Sequence, residues 1–448
     1  MSVLNKINTI VNRGTISALI TYAIIIRVLV FFGYYAITIF PDSEDYIFLA
    51  QKISELDLTN YSGKRTPGYP ILLALLQNSK VALVFFQIIL GIISTFLVYD
   101  ISKRLNNNKI IGFWTAIFYT SFLHVLFYDF AILTEAFTNF LLLLSIWLIT
   151  KYQLFEVKKN PIPYFLLSVI SAWLYLTRPI FIYIPIGFAV FDIIKSFNTN
   201  IIDAFRRSVI VLCIPLLSYF IWNSHNQLTI GHFTNTQYFG INLAQTATPF
   251  FDKAPNDHAL IRDIVVKHRD SVLQKNPRLL PMSVWLAHKE LLEKTGLNEV
   301  ELSNTLGQIS KDLFKAHPDL YAKQVATSWL LFWGNQDSLK WEYNKISNNY
   351  FKYLATSFWL YFQQYLLVII NVLFLVFSAI KIFRFFKAPK QHFDTNLFIV
   401  CIVLSGSLAQ ALVAFGSNSR FCFPFFALIV YFVIYNIVKY KHVISSKN

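Results

Sequence analysis

Apolar runs of membrane length recur from one end of this sequence to the other. Hydropathy places about ten of them, near 15–40, 81–101, 110–128, 131–150, 162–177, 179–195, 208–228, 356–380, 394–415 and 421–439. Most approach the roughly 20 residues that carry a helix across a bilayer. Peptide groups in such a run meet no water, so they must bond to one another as helix. Of the 448 residues, 55% are hydrophobic and 14% charged, against about 25% charged in soluble domains. The expected fold class is an all-α polytopic membrane protein, with about ten transmembrane helices and an outward helical loop domain.

The net charge of +15 would suit a nucleic-acid partner, but the basic residues gather in short loops, where they set orientation instead. Lys6 and Arg13 precede the first run; Lys103, Arg104 and Lys109 follow the second; Lys151, Lys158 and Lys159 follow the fourth. Lys195, Arg206 and Arg207 follow the sixth, Lys381, Arg384, Lys387 and Lys390 the eighth, and Lys439 and Lys441 the tenth. All fall on one side, so an even number of spans is expected, with both termini cytoplasmic. The opening run is longer than a signal-peptide core and lacks a clear cleavage site, which makes it an uncleaved first span. Cys213, Cys401 and Cys422 lie within or at the ends of apolar stretches and imply no disulfide framework. There is no Gly-rich phosphate loop and no zinc-type Cys/His spacing.

Three regions follow: residues 1–228 form an N-terminal transmembrane module with a first outward loop at 41–80, 229–355 an outward segment of soluble composition, and 356–448 the C-terminal membrane helices. Within 229–355, "PMSVWLAHKELLEKTG" is patterned as a helix that ends at Gly296.

The outward turns hold the candidate chemistry. In "PDSEDYIFLAQKISEL", Asp42, Asp45 and Leu49 share one helical face. Asp42 could simply cap a helix, with an acidic residue three positions on completing a box. It could equally be a general base, since partial burial raises a carboxyl toward working pH. In "KRTPGYPILLALL", Pro67 and Pro70 flank Tyr69 and break regular structure, so the chain re-enters as a loop and then a short helix along the membrane surface. Thr177-Arg178-Pro179 is nearly the whole turn between two runs, with Pro179 suited to a first helical position. Arg420 stands at another outward turn, in "GSNSRFCFPFF". These arginines either snorkel to headgroups or, with Arg65, converge on a bound anion such as phosphate. Glu135 opens a span close after Asp129; a helix N-terminus favours a carboxylate, which could also pair with an arginine or bind substrate. Arg27, inside the first run, costs roughly 2.5–3.5 kcal/mol unpaired, so a partner within the bundle is expected.

In this order the motifs resemble those of integral-membrane C-type glycosyltransferases, and most of all the bacterial family 39-like branch related to protein O-mannosyltransferases and lipid A aminoarabinose transferases. "PDSEDYIFLA" stands for the acidic first-loop motif, "RTPGYPILLALL" for the following Arg-x-Pro-x-Tyr-Pro element, and "LTEAF" for the acidic span opening. "YLTRP" and "SRFCFPFF" stand for the two arginine turns. The likeness covers about residues 15–230 and 394–440.

The resemblance implies an inverting enzyme of the cell envelope, acting at the outer face of the cytoplasmic membrane on a polyprenyl-phosphate sugar donor. A carboxylate, Asp42 first and Asp45 second, would take the proton of an acceptor hydroxyl. Arg65, Arg178 and Arg420 would hold the donor phosphate. Tyr46, Tyr69 and Glu135 would contact substrate. Some relatives use a divalent metal, and no outward ligand cluster here decides that question. Two alternatives are a lipid-linked glycan transporter or flippase, which should place charges near the bilayer midplane and show inverted repeats, and an O-antigen ligase or polymerase with a diphosphate donor.

Overall fold

The computed structural model describes residues 15–59, 61–156, 160–197, 199–334, 339, 341–416 and 418–445. Lys6, Arg13, Lys158 and Lys159 lie outside them. Among the described residues the fold is helical, with one isolated parallel bridge between Thr38 and Ala131 and no named strand. The all-α polytopic class therefore holds.

The helices of the first half are α1 (Ile16–Tyr34), α2 (Pro41–Ser54), α3 (Gly68–Leu75), α4 (Lys80–Asn106), α5 (Lys109–Thr120), α6 (Leu123–Asp129), α7 (Glu135–Tyr152), α8 (Ile162–Thr177), α9 (Tyr183–Ser196) and α10 (Ile201–Ile230). A 3-10 turn, Pro179–Ile182, leads into α9. Next come α11 (Phe239–Ala247), α12 (Ala259–Lys275), α13 (Ser283–Thr295), α14 (Glu299–Ala316) and α15 (Pro318–Trp333). The C-terminal part contributes α16 (Asn349–Phe358), which runs through a π-helical turn, Trp359–Gln363, into α17 (Gln364–Lys387). A one-turn helix, α18 (Pro389–His392), precedes α19 (Thr395–Val413), α20 (Asn418–Cys422) and α21 (Phe426–Ser445).

The expected count of ten spans is not reached on length and apolarity. Seven helices among the described residues are long and apolar enough to cross a membrane, or eight if α5 and α6, which meet at 67°, form one broken span. Hydropathy counts apolar residues and is blind to such a bend. Helix α8 is apolar but has only 16 residues, and α7 opens on the fully buried Glu135. Lipid-facing side chains such as Leu29, Phe32, Phe220, Ile221 and Val372 are exposed on the long helices, as the bilayer as solvent requires.

The two largest apolar cores are separate. One fills the helical bundle and includes Leu90, Leu142, Phe188, Val400 and Phe426. The other lies within 229–355, where Ala244, Val265, Leu291, Leu306 and Leu313 of α11–α14 pack together. In this second unit, Asn298 and Glu301 form a reciprocal capping box at the start of α14. Helix α13 stops where Gly296 adopts a left-handed conformation, φ 69°.

Buried charges inside the bundle are paired. Arg27 Nε donates to Asp129 Oδ2 at 2.9 Å and its Nη1 to Thr120 Oγ1 at 2.9 Å, so Asp129 is the partner α1 requires. Arg207, expected as an orienting cation, is instead buried against Asp192, at 2.8 and 3.1 Å. The partners of Arg27 and Arg207 lie on other helices, where run-by-run hydropathy cannot see them.

Candidate active site

The turn before α2 is set by Ser43, not by Asp42. Phe40 occupies the N-cap, Pro41 starts the helix, and the Phe40 amide donates to Ser43 Oγ at 2.9 Å. Ser43 Oγ in turn donates to the Ile132 carbonyl at 2.7 Å. The capping role expected of Asp42 is thus corrected: with Pro41 as first helical residue the cap falls two residues earlier, at Phe40, and Asp42 is left to point elsewhere. The Thr38 amide donates to the Phe130 carbonyl and the Ile132 amide to the Thr38 carbonyl, both at 3.0 Å. These bonds tie the loop before α2 to the loop before α7, bringing Asp42 and Glu135 to one place.

Arg178 is positioned from the other side. Helix α8 ends there because Pro179 follows: Arg178 is extended, φ −145°, and Pro179 opens the 3-10 turn. The turn rests on Gly68 at the start of α3. A Cβ on Gly68 would lie 2.5 Å from the Leu176 carbonyl carbon and the Thr177 nitrogen, so only glycine fits. Trp173 Nε1 donates to the Gly68 carbonyl at 2.8 Å. Pro70 does not break the structure as expected. It lies in the first turn of α3, where an amide proton has no helical partner to lose.

Six charged side chains from five separate segments then form one unbroken chain. Arg65 Nε donates to Asp45 Oδ2 at 3.0 Å and Arg65 Nη2 to Asp42 Oδ1 at 2.8 Å. Arg420 Nη1 donates to the other Asp42 oxygen, Oδ2, at 3.1 Å. Arg420 Nε also donates to Glu135 Oε1. The same Glu135 oxygen accepts from Arg178 Nη2 at 2.7 Å, while Arg178 Nε donates to Thr134 Oγ1 at 2.9 Å. The order is Asp45–Arg65–Asp42–Arg420–Glu135–Arg178, three cations on three carboxylates.

Aromatic rings line this chain. The Arg65 guanidinium lies 5.1 Å from the Tyr46 ring centre and 5.2 Å from that of Tyr238; the Arg178 guanidinium lies 5.6 Å from that of Phe421. Tyr69 stands one layer back. Its ring meets the Tyr46 ring edge-on at 5.3 Å, and its hydroxyl donates to Gln87 Oε1 at 2.7 Å. Glu44 is exposed on the opposite side of α2.

The electrostatics follow from the pairing. Burial alone would raise the Asp42 carboxyl, but the Arg65 and Arg420 guanidiniums outweigh it and hold it below the usual carboxylate range. Burial would likewise lower Arg65, yet Tyr46, Asp42 and Asp45 hold it above its ordinary value. Among the described residues, two buried oxygens at the site have no hydrogen-bond partner, Glu135 Oε2 and the Tyr128 hydroxyl. An acceptor and a donor are thus left open beside the arginines.

Tyr238 and Tyr128 were absent from the sequence expectation. Tyr238 comes from the segment 229–355, and its hydroxyl donates to Asp45 Oδ2 at 3.4 Å. Its segment is pinned nearby: the Gln237 amide donates to the Gly63 carbonyl at 2.9 Å, and Lys64 pairs with Glu299 at 3.2 Å. Tyr128 sits in an apolar run and carried no polar signal. Among the described residues no group of three or more His, Cys, Asp or Glu is placed to hold a metal ion.

No protein-family model matches the chain, and no curated protein matches it.

Proposed function

We propose that this protein is an integral-membrane glycosyltransferase that moves a sugar from a polyprenyl-phosphate donor to an acceptor hydroxyl, at the outer face of the cytoplasmic membrane. The observation that carries the reading is the shared use of Asp42 by Arg65 and Arg420. A lipid-phosphate donor needs cations for its phosphate beside a carboxylate for the acceptor proton, and this arrangement holds both at the ends of apolar helices.

In the chemistry proposed, a carboxylate accepts the proton of the acceptor O–H. The freed oxygen bonds to the anomeric carbon, and the bond from that carbon to the phosphate oxygen breaks. Its electron pair leaves on the phosphate, which the arginines stabilise. As paired here, Asp42 is ionised but weakly basic. A phosphate that draws Arg65 and Arg420 toward itself would leave Asp42 buried with less opposing charge, and its proton affinity would rise. Asp45, held by Arg65 alone among the arginines, is the other candidate base.

The test is to incubate membranes containing the protein, or its Asp42→Asn variant, with a panel of radiolabelled polyprenyl-phosphate sugars. Release of label from one donor by the wild type, and much less by the variant, is expected. If folded wild-type protein cleaves none of the donors and only moves them between leaflets, the transfer reading fails.

A further inference from the structure

A cavity of about 640 Å³ opens at the far end of the same helices that carry the charged chain. Helix α7 begins at Glu135 and runs 18 residues to Tyr152, and Lys151 in its last turn lines the cavity. The segment that begins beside Arg178 ends at Ser196, with Lys195 of its last turn at the cavity, and α19, which leads toward Arg420, begins at Thr395. The 18 residues of Pro179–Ser196, long and apolar enough to cross a membrane, extend about 27 Å, close to the apolar thickness of a bilayer. The cavity therefore lies at the opposite membrane surface from the arginine–carboxylate cluster.

Its lining is strongly basic. Lys103, Arg104, Lys109, Lys151 and Lys195 face it, with Glu156 the one acid among the lining residues. Of these five cations only Arg104 has a carboxylate partner among the described residues, Asp100 at 2.6 Å, and Trp147 Nε1 also donates to that carboxylate at 2.8 Å. Ile149 and Phe155 supply an apolar wall, and Phe155 is fixed by rings of Phe188, Phe191 and Phe398. Orientation of the chain explains lysines in each loop separately. It does not explain why cations from three separate loops meet around one concavity with an apolar wall.

We propose that this cavity binds a phosphate-bearing anion, with the headgroup of an anionic lipid in the adjacent leaflet as its source. The cations meet the phosphate, and the cavity's place at a membrane surface makes a lipid headgroup the nearest source of one. The proposal is independent of the transfer chemistry at the other surface.

The full-length protein in detergent would be titrated with phosphatidylglycerol or phosphatidylcholine, and bound lipid counted by native mass spectrometry. A parallel arm would measure thermal stabilisation by inorganic phosphate. Three proteins are compared: wild type, Lys109→Glu/Lys151→Glu, and Lys387→Glu/Lys390→Glu as a charge-matched control outside the cavity. Preferential phosphatidylglycerol binding is expected, reduced about fivefold for each cavity cation lost and retained by the control. Stabilisation by inorganic phosphate without phosphatidylglycerol binding would overturn the lipid source. Equal loss in both double variants would reduce the cavity to general basic attraction, and no loss in the cavity variant would overturn the site. Gel filtration of each variant separates these outcomes from misfolding.

Discussion

Arg420 donates to Asp42 across 378 residues of sequence, Nη1 to Oδ2 at 3.1 Å, while its Nε serves Glu135. It is the link that joins the Asp45–Arg65–Asp42 half of the cluster to the Glu135–Arg178 half. Arg420→Ala would leave the fully buried Glu135 and the half-buried Asp42 each one cation short. Breaking such a buried pair costs about 3–5 kcal/mol, and the remaining arginines place the expected loss toward the lower end. Thermal denaturation in detergent checks this against Arg206→Ala, whose side chain is 74% exposed and whose removal should change little. Equal melting of the two variants would contradict the linking role.

Three isosteres test which carboxylate serves as base in the proposed transfer. Asp42→Asn keeps shape but cannot take a proton, so turnover should fall by roughly 10²–10⁴-fold with donor binding nearly intact. Glu44→Gln, on the exposed side of α2, should be close to neutral. If Asp45→Asn abolishes transfer while Asp42→Asn does not, the base is Asp45.

The lowered Asp42 carboxyl makes a signed prediction for stability. Between its folded value and the ordinary carboxylate value, about 3.9, the unfolded chain binds more protons at this position than the native one. The contribution is therefore fully present above about pH 5 and is lost as pH falls through the folded value, below about 4. The melting-temperature difference between wild type and Asp42→Asn should be flat from pH 8 to about 5 and shrink in more acid buffer. A difference that grows with acidity would show that Asp42 is not held ionised by Arg65 and Arg420.

Gly68 touches none of the six charges, yet its substitution should move one. In Gly68→Ala the new methyl would meet the backbone of the Leu176–Thr177 turn at 2.5 Å, so the turn must shift and carry Arg178 with it. Transfer should fall by an order of magnitude or more, since misplacement of about 1 Å can cost 10²-fold. Arg178→Ala should weaken donor use strongly, and Arg178→Lys restore it only in part, because an ammonium lacks the planar fork. Full activity in Gly68→Ala would remove this glycine from the account of the site.

What was legible in the sequence was carried by local signals. Apolar run lengths gave the helical membrane class, and Pro179 and Gly296 marked helix boundaries correctly. Charges standing in short turns beside apolar runs picked out Asp42, Arg65, Glu135, Arg178 and Arg420, which the structure brings together. The signals that failed were three-dimensional. Nothing local distinguishes Asp42 as a cap from Asp42 as an ion-pair partner, because Ser43 wins the capping role through Ile132, 89 residues away. The bend between α5 and α6 lies inside one apolar stretch, so hydropathy merges the two. Tyr238 was missed because its relation to Asp45 exists only once 229–355 packs on the loop holding Gly63 and Lys64.

The cluster also has an order of construction. Asp42 and Arg65 are 23 residues apart, and Glu135 and Arg178 are 43, so each pair can form among neighbouring helices soon after synthesis. Arg420 comes 285 residues after Glu135, which at about 5–20 residues per second puts it on the order of tens of seconds later. Until then the ribosome has delivered two half-sites with nothing joining them. The assembling bundle must keep a gap beside Glu135 open until the last turn arrives. A chain stalled before that turn would carry every carboxylate of the site and no means of closing it.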